Sequence, residues 1–148
     1  MARQSSCAAV DRTNDKGGNV PRIKTIEARL SVVDVARSAT FFASTLGFAI
    51  GTLWPEHAPE FAILHKDGVR LQLGRQAQGE AEPQASGTLW LDVEDVAALH
   101  AQVTAHARIA WGPAVYWYGR REFGFRDPNG NLLILSEVTS DPPTQTPH

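Results

Sequence analysis

The sequence predicts an α+β fold of two tandem β-α-β-β-β modules that form a cupped mixed sheet with the helices on its convex face. Three observations carry this reading. Apolar residues alternate over 26–33 and again over 88–93, the mark of a strand with one buried face. An aspartate and an amphipathic segment follow each of these strands. Asp95 follows Asp34 by 61 residues and Gly130 follows Gly68 by 62, so the order of elements repeats at nearly constant spacing.

In the first module, Ala28, Leu30 and Val32 alternate with Glu27, Arg29 and Ser31. Asp34 then offers a side-chain cap to a helix whose apolar residues Val35, Ala39, Phe42 and Leu46 fall at i, i+4, i+7 and i+11, and Gly47 supplies a left-handed stop. Strands are expected over 48–53, 61–64 and 69–73, the last two joined by the tight turn Lys66-Asp67-Gly68. In the second module, Leu89, Leu91 and Val93 alternate with Thr88, Trp90 and Asp92. Asp95 caps a helix bearing Val96, Leu99 and Val103. Residues 108–120, with Trp111, Tyr116, Trp117 and Tyr118, read as a long connection. Strands over 121–126 and 131–137 flank Asp127-Pro128-Asn129-Gly130. Residues 1–22 and 139–148 lack apolar periodicity and read as tails. One domain remains, 23–138, with modules of about 25–75 and 86–138.

The alternation also assigns faces. Leu30, Val32, Leu71, Leu73, Leu89, Leu91, Val93, Leu133 and Leu135 receive the helices. Glu27, Arg29, Arg70, Gln72, Thr88, Trp90 and Ile134 fall on the other side, a mixed polar and aromatic face suited to a concave ligand surface. The alternative is a solvated face on which Glu27, Arg29 and Arg70 pair with one another.

Composition narrows the partners. Fourteen Lys and Arg against sixteen Asp and Glu give a formal charge of -2, which offers no broad basic surface for nucleic acid and no cationic face for a membrane. A single cysteine excludes an internal disulfide and a cysteine-rich zinc site, and fits a cytoplasmic setting. No apolar run reaches signal-peptide or membrane-helix length.

The opening VVDVARSATFFASTLGF and the closing YGRREFGFRDPNGNLLILSE, on two such modules, resemble the vicinal oxygen chelate superfamily of glyoxalases, extradiol dioxygenases and bleomycin resistance proteins. A glycine followed by R-E-F and then D-P-N-G-N is most similar to the bleomycin-resistance-like branch. In metal-dependent relatives, four positions on the first and last strands of the modules converge on a divalent cation; the matching positions here are Glu27, Gln72, Thr88 and Ile134. One carboxylate, one amide, one hydroxyl and one alkyl group make a poor ligand set, and none of the five histidines falls on these positions. The resemblance therefore implies a metal-free, cofactor-free homodimer that sequesters a small molecule, such as an antibiotic, in a cleft built from both chains. Glu27, Arg29, Arg70, Gln72, Thr88, Trp90, Trp117 and Ile134 are its expected ligand-binding residues, with no catalytic residue among them. Two alternatives stay open: a glyoxalase-like or dioxygenase-like enzyme with an atypical metal site, and an interaction module whose cupped face packs on its dimer mate. The near-neutral charge, with Arg29 and Arg70 on the proposed face, speaks against a strongly cationic ligand. Arg121 and Glu122, from the R-E-F motif, read as strand-edge pairing.

Overall fold

Strand β1 (Ala28–Val32) leads into helix α1 (Val35–Leu46), and β2 (Ala49–Trp54), β3 (Phe61–Lys66) and β4 (Val69–Arg75) complete the first module. The second repeats the order with β5 (Thr88–Asp92), α2 (Val96–Thr104), β6 (Ile109–Tyr116), β7 (Arg120–Arg126) and β8 (Leu132–Val138). This computed structural model describes residues 20–76 and 87–144; most of the expected leader, the stretch joining the modules and the last four residues lie outside them. The sheet is built as two four-stranded pieces of identical topology, β1-β4-β3-β2 and β5-β8-β7-β6. In each, the opening strand runs parallel to the last, and the other pairs are antiparallel.

The local signals act as the sequence suggests. The Asp34 carboxylate accepts from the Arg37 amide at 3.0 Å, and the Asp95 carboxylate does the same for Ala98 at 3.0 Å, so both helices start on a side-chain cap. Gly47 ends α1 at φ 77°, which a residue with a Cβ adopts only with strain, and its amide returns to the Ala43 carbonyl. Asp67 and Gly68, at φ 50° and 78°, make the two-residue turn between β3 and β4.

Residues 109–116 correct the expectation of a long connection. They form β6, antiparallel to β7, with register shifts between Ile109 and Trp111 and between Trp111 and Ala114. Gly112 and Pro113 sit in the second shift and interrupt the alternation by which a strand is recognised. The chain beyond β8 returns to this strand at Thr144. Thr144 accepts from the Val115 amide at 2.8 Å through its hydroxyl and donates its own amide to the Val115 carbonyl at 2.9 Å, satisfying groups on the sheet edge.

One core joins the modules. Leu30, Val32, Leu71, Leu73, Leu133 and Leu135 are buried on the helix-bearing faces, with Leu89, Leu91 and Val93 partly buried against them. Phe41 of α1 meets Phe125 of β7 at 6.3 Å, and Gln102 of α2 donates to the Thr45 carbonyl of α1 at 3.0 Å. The β7–β8 turn supplies a polar joint. Asn129 accepts from the Val33 amide at 2.8 Å and donates to the Ser38 hydroxyl at 3.2 Å, while Asp127 gathers the amides of Asn129 and Asn131 at 2.9 and 2.8 Å. The D-P-N-G-N motif is thus a buried clasp on the start of the first module's helix.

Candidate functional site

On the face of the first sheet opposite the helices, three of the expected residues meet. Because β1 and β4 pair in parallel with Arg29 beside Gln72, side chains two apart on each strand share this face. The Glu27 carboxylate bonds Arg70 at 2.9 Å through one oxygen and accepts from Gln72 at 2.8 Å through the other. Arg29 stands outside that network. Its guanidinium crosses β4 above Gly74 and reaches the Phe61 ring on β3, 5.4 Å from the centroid. A Cβ at Gly74 would lie 2.4 Å from the Arg29 Nε, so glycine is what lets the guanidinium pack against β4 there. Arg29 thereby lines a cleft of about 690 Å3 with Thr52, Trp54, Glu60, Phe61 and Arg75.

The second sheet carries the other expected residues. Trp90 is beside Ile134 in the β5–β8 register, two residues along from Thr88, and is 53% exposed. Its indole lines a cleft of about 850 Å3 whose walls include Phe48, Lys66 and Val69 of the first module and Leu99 of α2. Trp117, 67% exposed, stands apart in the turn between β6 and β7, edge-on to Tyr118 at 5.4 Å. The expected set is therefore distributed: Arg29 and Trp90 line two different clefts.

A third feature escaped the sequence reading. Glu122 is only 2% exposed, on a central strand, so the strand-edge pairing expected for it does not occur; Arg121 alone makes outer pairs, with Glu137 at 3.0 Å and with Asp141. Tyr118 donates its hydroxyl to one Glu122 oxygen, and the other has no hydrogen-bond partner among the described residues. Tyr116 stacks on Tyr118 at 5.4 Å, and Trp111 meets Tyr116 edge-on at 6.2 Å. The Trp111 ring lies over Gly124, where a Cβ would come within 2.5 Å of it. Removal of its hydroxyl from water, the hydrogen bond to Glu122 and that carboxylate's charge push the Tyr118 phenol up to about 12; burial and Glu122 also raise Tyr116. The signal was present in the R-E-F motif: with Phe123 and Phe125 fully buried on the helix side, period two puts Glu122 on the opposite face.

The four positions that hold a cation in metal-dependent relatives do not fit one here. Both Glu27 oxygens are engaged by Arg70 and Gln72, and Ile134 has no donor atom. No group of three His, Cys, Asp or Glu side chains able to hold a metal lies together among the described residues.

A family profile described as Glyoxalase/Bleomycin resistance protein/Dioxygenase superfamily matches residues 22–135. The chain belongs to that superfamily. No curated protein matches the sequence significantly. Solved structures of similar fold include a glyoxalase/bleomycin resistance protein/dioxygenase from Nocardioides, at 15% identity and TM-score 0.65 over 95% of this chain and 99% of that one. TioX from Micromonospora sp. ML1 has 20% identity and TM-score 0.68 over 78% and 99%, and a bleomycin-binding protein complexed with bleomycin has 21% and 0.63 over 78% and 98%. At these identities the likeness to the solved structures shows the fold. In this member of the superfamily the D-P-N-G-N turn bridges the two modules, and of the four positions considered for a cation Glu27 is a salt-bridged carboxylate and Ile134 an alkyl side chain.

Proposed function

We propose that this superfamily member is a metal-free, cytoplasmic small-molecule-binding protein of the bleomycin-resistance type. It sequesters a planar, antibiotic-like ligand in a cleft at a homodimer interface. Trp90 carries the reading. A large indole, half exposed on the edge strand β5 and lining a cleft of about 850 Å3 between that strand, α2 and the first module, is stabilised by whatever flat surface covers it. Glu27, Arg29, Arg70, Gln72, Thr88, Trp117 and Ile134 complete the proposed binding surface, and a dimer brings further copies of these faces to the cleft. The bleomycin complex of one structural relative supports small-molecule binding as the use of this fold.

Titration of planar aromatic probes without a carboxylate (acridine, quinoline) against tryptophan fluorescence tests the proposal. A saturable response in wild type that is lost in Trp90→Ala is expected; no response to any probe, or an equal response from Trp90→Ala, contradicts it. Elemental analysis of protein purified without chelator tests the enzymatic alternative, since stoichiometric Fe, Mn, Ni or Zn would overturn the metal-free reading.

A further inference from the structure

Arg29 makes no salt bridge among the described residues, and the cleft around it is net positive. Glu27, two residues away on the same face, spends both oxygens on Arg70 and Gln72. Arg75 faces Glu60 at 3.9 Å with both side chains more than half exposed, a pair that contributes little. The lining thus holds two guanidinium groups and one carboxylate. Gly74 and Phe61 are partners across β3 and β4, and together they form the floor on which the Arg29 guanidinium lies. A guanidinium packed against a backbone floor and a ring gives up little further freedom when its fork takes a planar oxyanion through two parallel hydrogen bonds. Beside it, Trp54, 63% exposed, and Phe61 offer flat apolar surface within the same 690 Å3.

From this we infer that the Arg29 cleft is specific for an aromatic carboxylate: the carboxylate bonds the Arg29 fork and the ring system rests on the exposed Trp54 indole. This rests on the small-molecule-binding reading above and assigns a ligand class to the cleft that Arg29 lines. It accords with a chain of formal charge -2 that nevertheless gathers arginines on this face.

The test compares three probes of one shape and different charge, 2-naphthoate, 2-naphthamide and 2-naphthylmethylammonium, by isothermal titration with wild type, Arg29→Gln and Arg29→Lys. The expected result is naphthoate binding at least about tenfold tighter than either other probe, the worth of one charge-assisted contact at a half-open site. Arg29→Gln should erase the preference, and Arg29→Lys should keep part of it, because an ammonium supplies charge without the fork. Equal binding of the three probes to wild type, or a naphthoate preference that survives in Arg29→Gln, overturns the assignment while leaving small-molecule binding in place. Absence of naphthoate binding overturns it too, and the Trp90 titration then judges the binding function on its own.

Discussion

The clasp between the modules is open to a quantitative test through Asn129→Ala. The substitution removes two hydrogen bonds that bridge residues 91 and 96 apart in sequence, to the Ser38 hydroxyl and from the Val33 amide. Each is worth about 1 kcal/mol net, and leaving a partly buried donor such as the Val33 N–H without an acceptor adds about 1–2 kcal/mol. The sum is about 3–4 kcal/mol, or roughly 10 °C in Tm for a chain of this size. Urea and thermal unfolding followed by circular dichroism measure it. Ser38→Ala, which removes only the longer bond, should cost about 1 kcal/mol or less, and the double variant should cost less than the sum because both changes act on one network. A loss below about 1 kcal/mol for Asn129→Ala would show that the D-P-N-G-N turn does not clasp the modules, and would refute the reasoning.

Other outcomes follow from the same geometry. Both tyrosines of the chain lie in the Glu122 stack, so absorbance at 295 nm reads that site alone: neither should ionise at the ordinary pH near 10, and Tyr118 should titrate at about 12. A phenol whose folded value is raised contributes stability that is complete below the unfolded value and lost as pH climbs toward the folded one; stability should therefore fall between about pH 10 and 12, and less steeply in Tyr118→Phe. Glu122→Gln keeps an acceptor for Tyr118 but removes the buried charge, so the Tyr118 midpoint should drop while stability holds or rises by about 1 kcal/mol, in contrast to the loss expected if both carboxylate oxygens were paired. Phe42→Ala empties the fully buried heart of the core and should cost about 3–5 kcal/mol in denaturant unfolding.

What the sequence disclosed, and what it withheld, follows from the range of the forces involved. Helix α1 was legible to the residue because Asp34 and Gly47 act within one turn of it, and the β3–β4 hairpin because Asp67 and Gly68 set their own backbone. The helix-facing leucines were legible because a strand's period of two needs no tertiary knowledge. Strand β6 was not, since Gly112 and Pro113 break that period and only pairing with β7 restores it. The clasp at Asn129 depends on a contact 96 residues away, and Arg29's reach over Gly74 to Phe61 depends on the register of three strands. For the same reason, of the residues expected to share one site, Arg29 and Trp90 line two separate clefts and the others line neither: alternation assigns a side chain to a face but leaves open which part of that face folds into a cavity.

Binding of a small planar molecule at the Arg29 and Trp90 clefts is open to amide chemical-shift mapping of 15N-labelled protein during titration with 2-naphthoate and acridine. Saturable shifts concentrated on β1, β4, β5 and β8 around Arg29, Gln72, Trp90 and Ile134 are expected. Shifts confined to the helices α1 and α2, or an unchanged spectrum with both probes at saturating concentration, would contradict it.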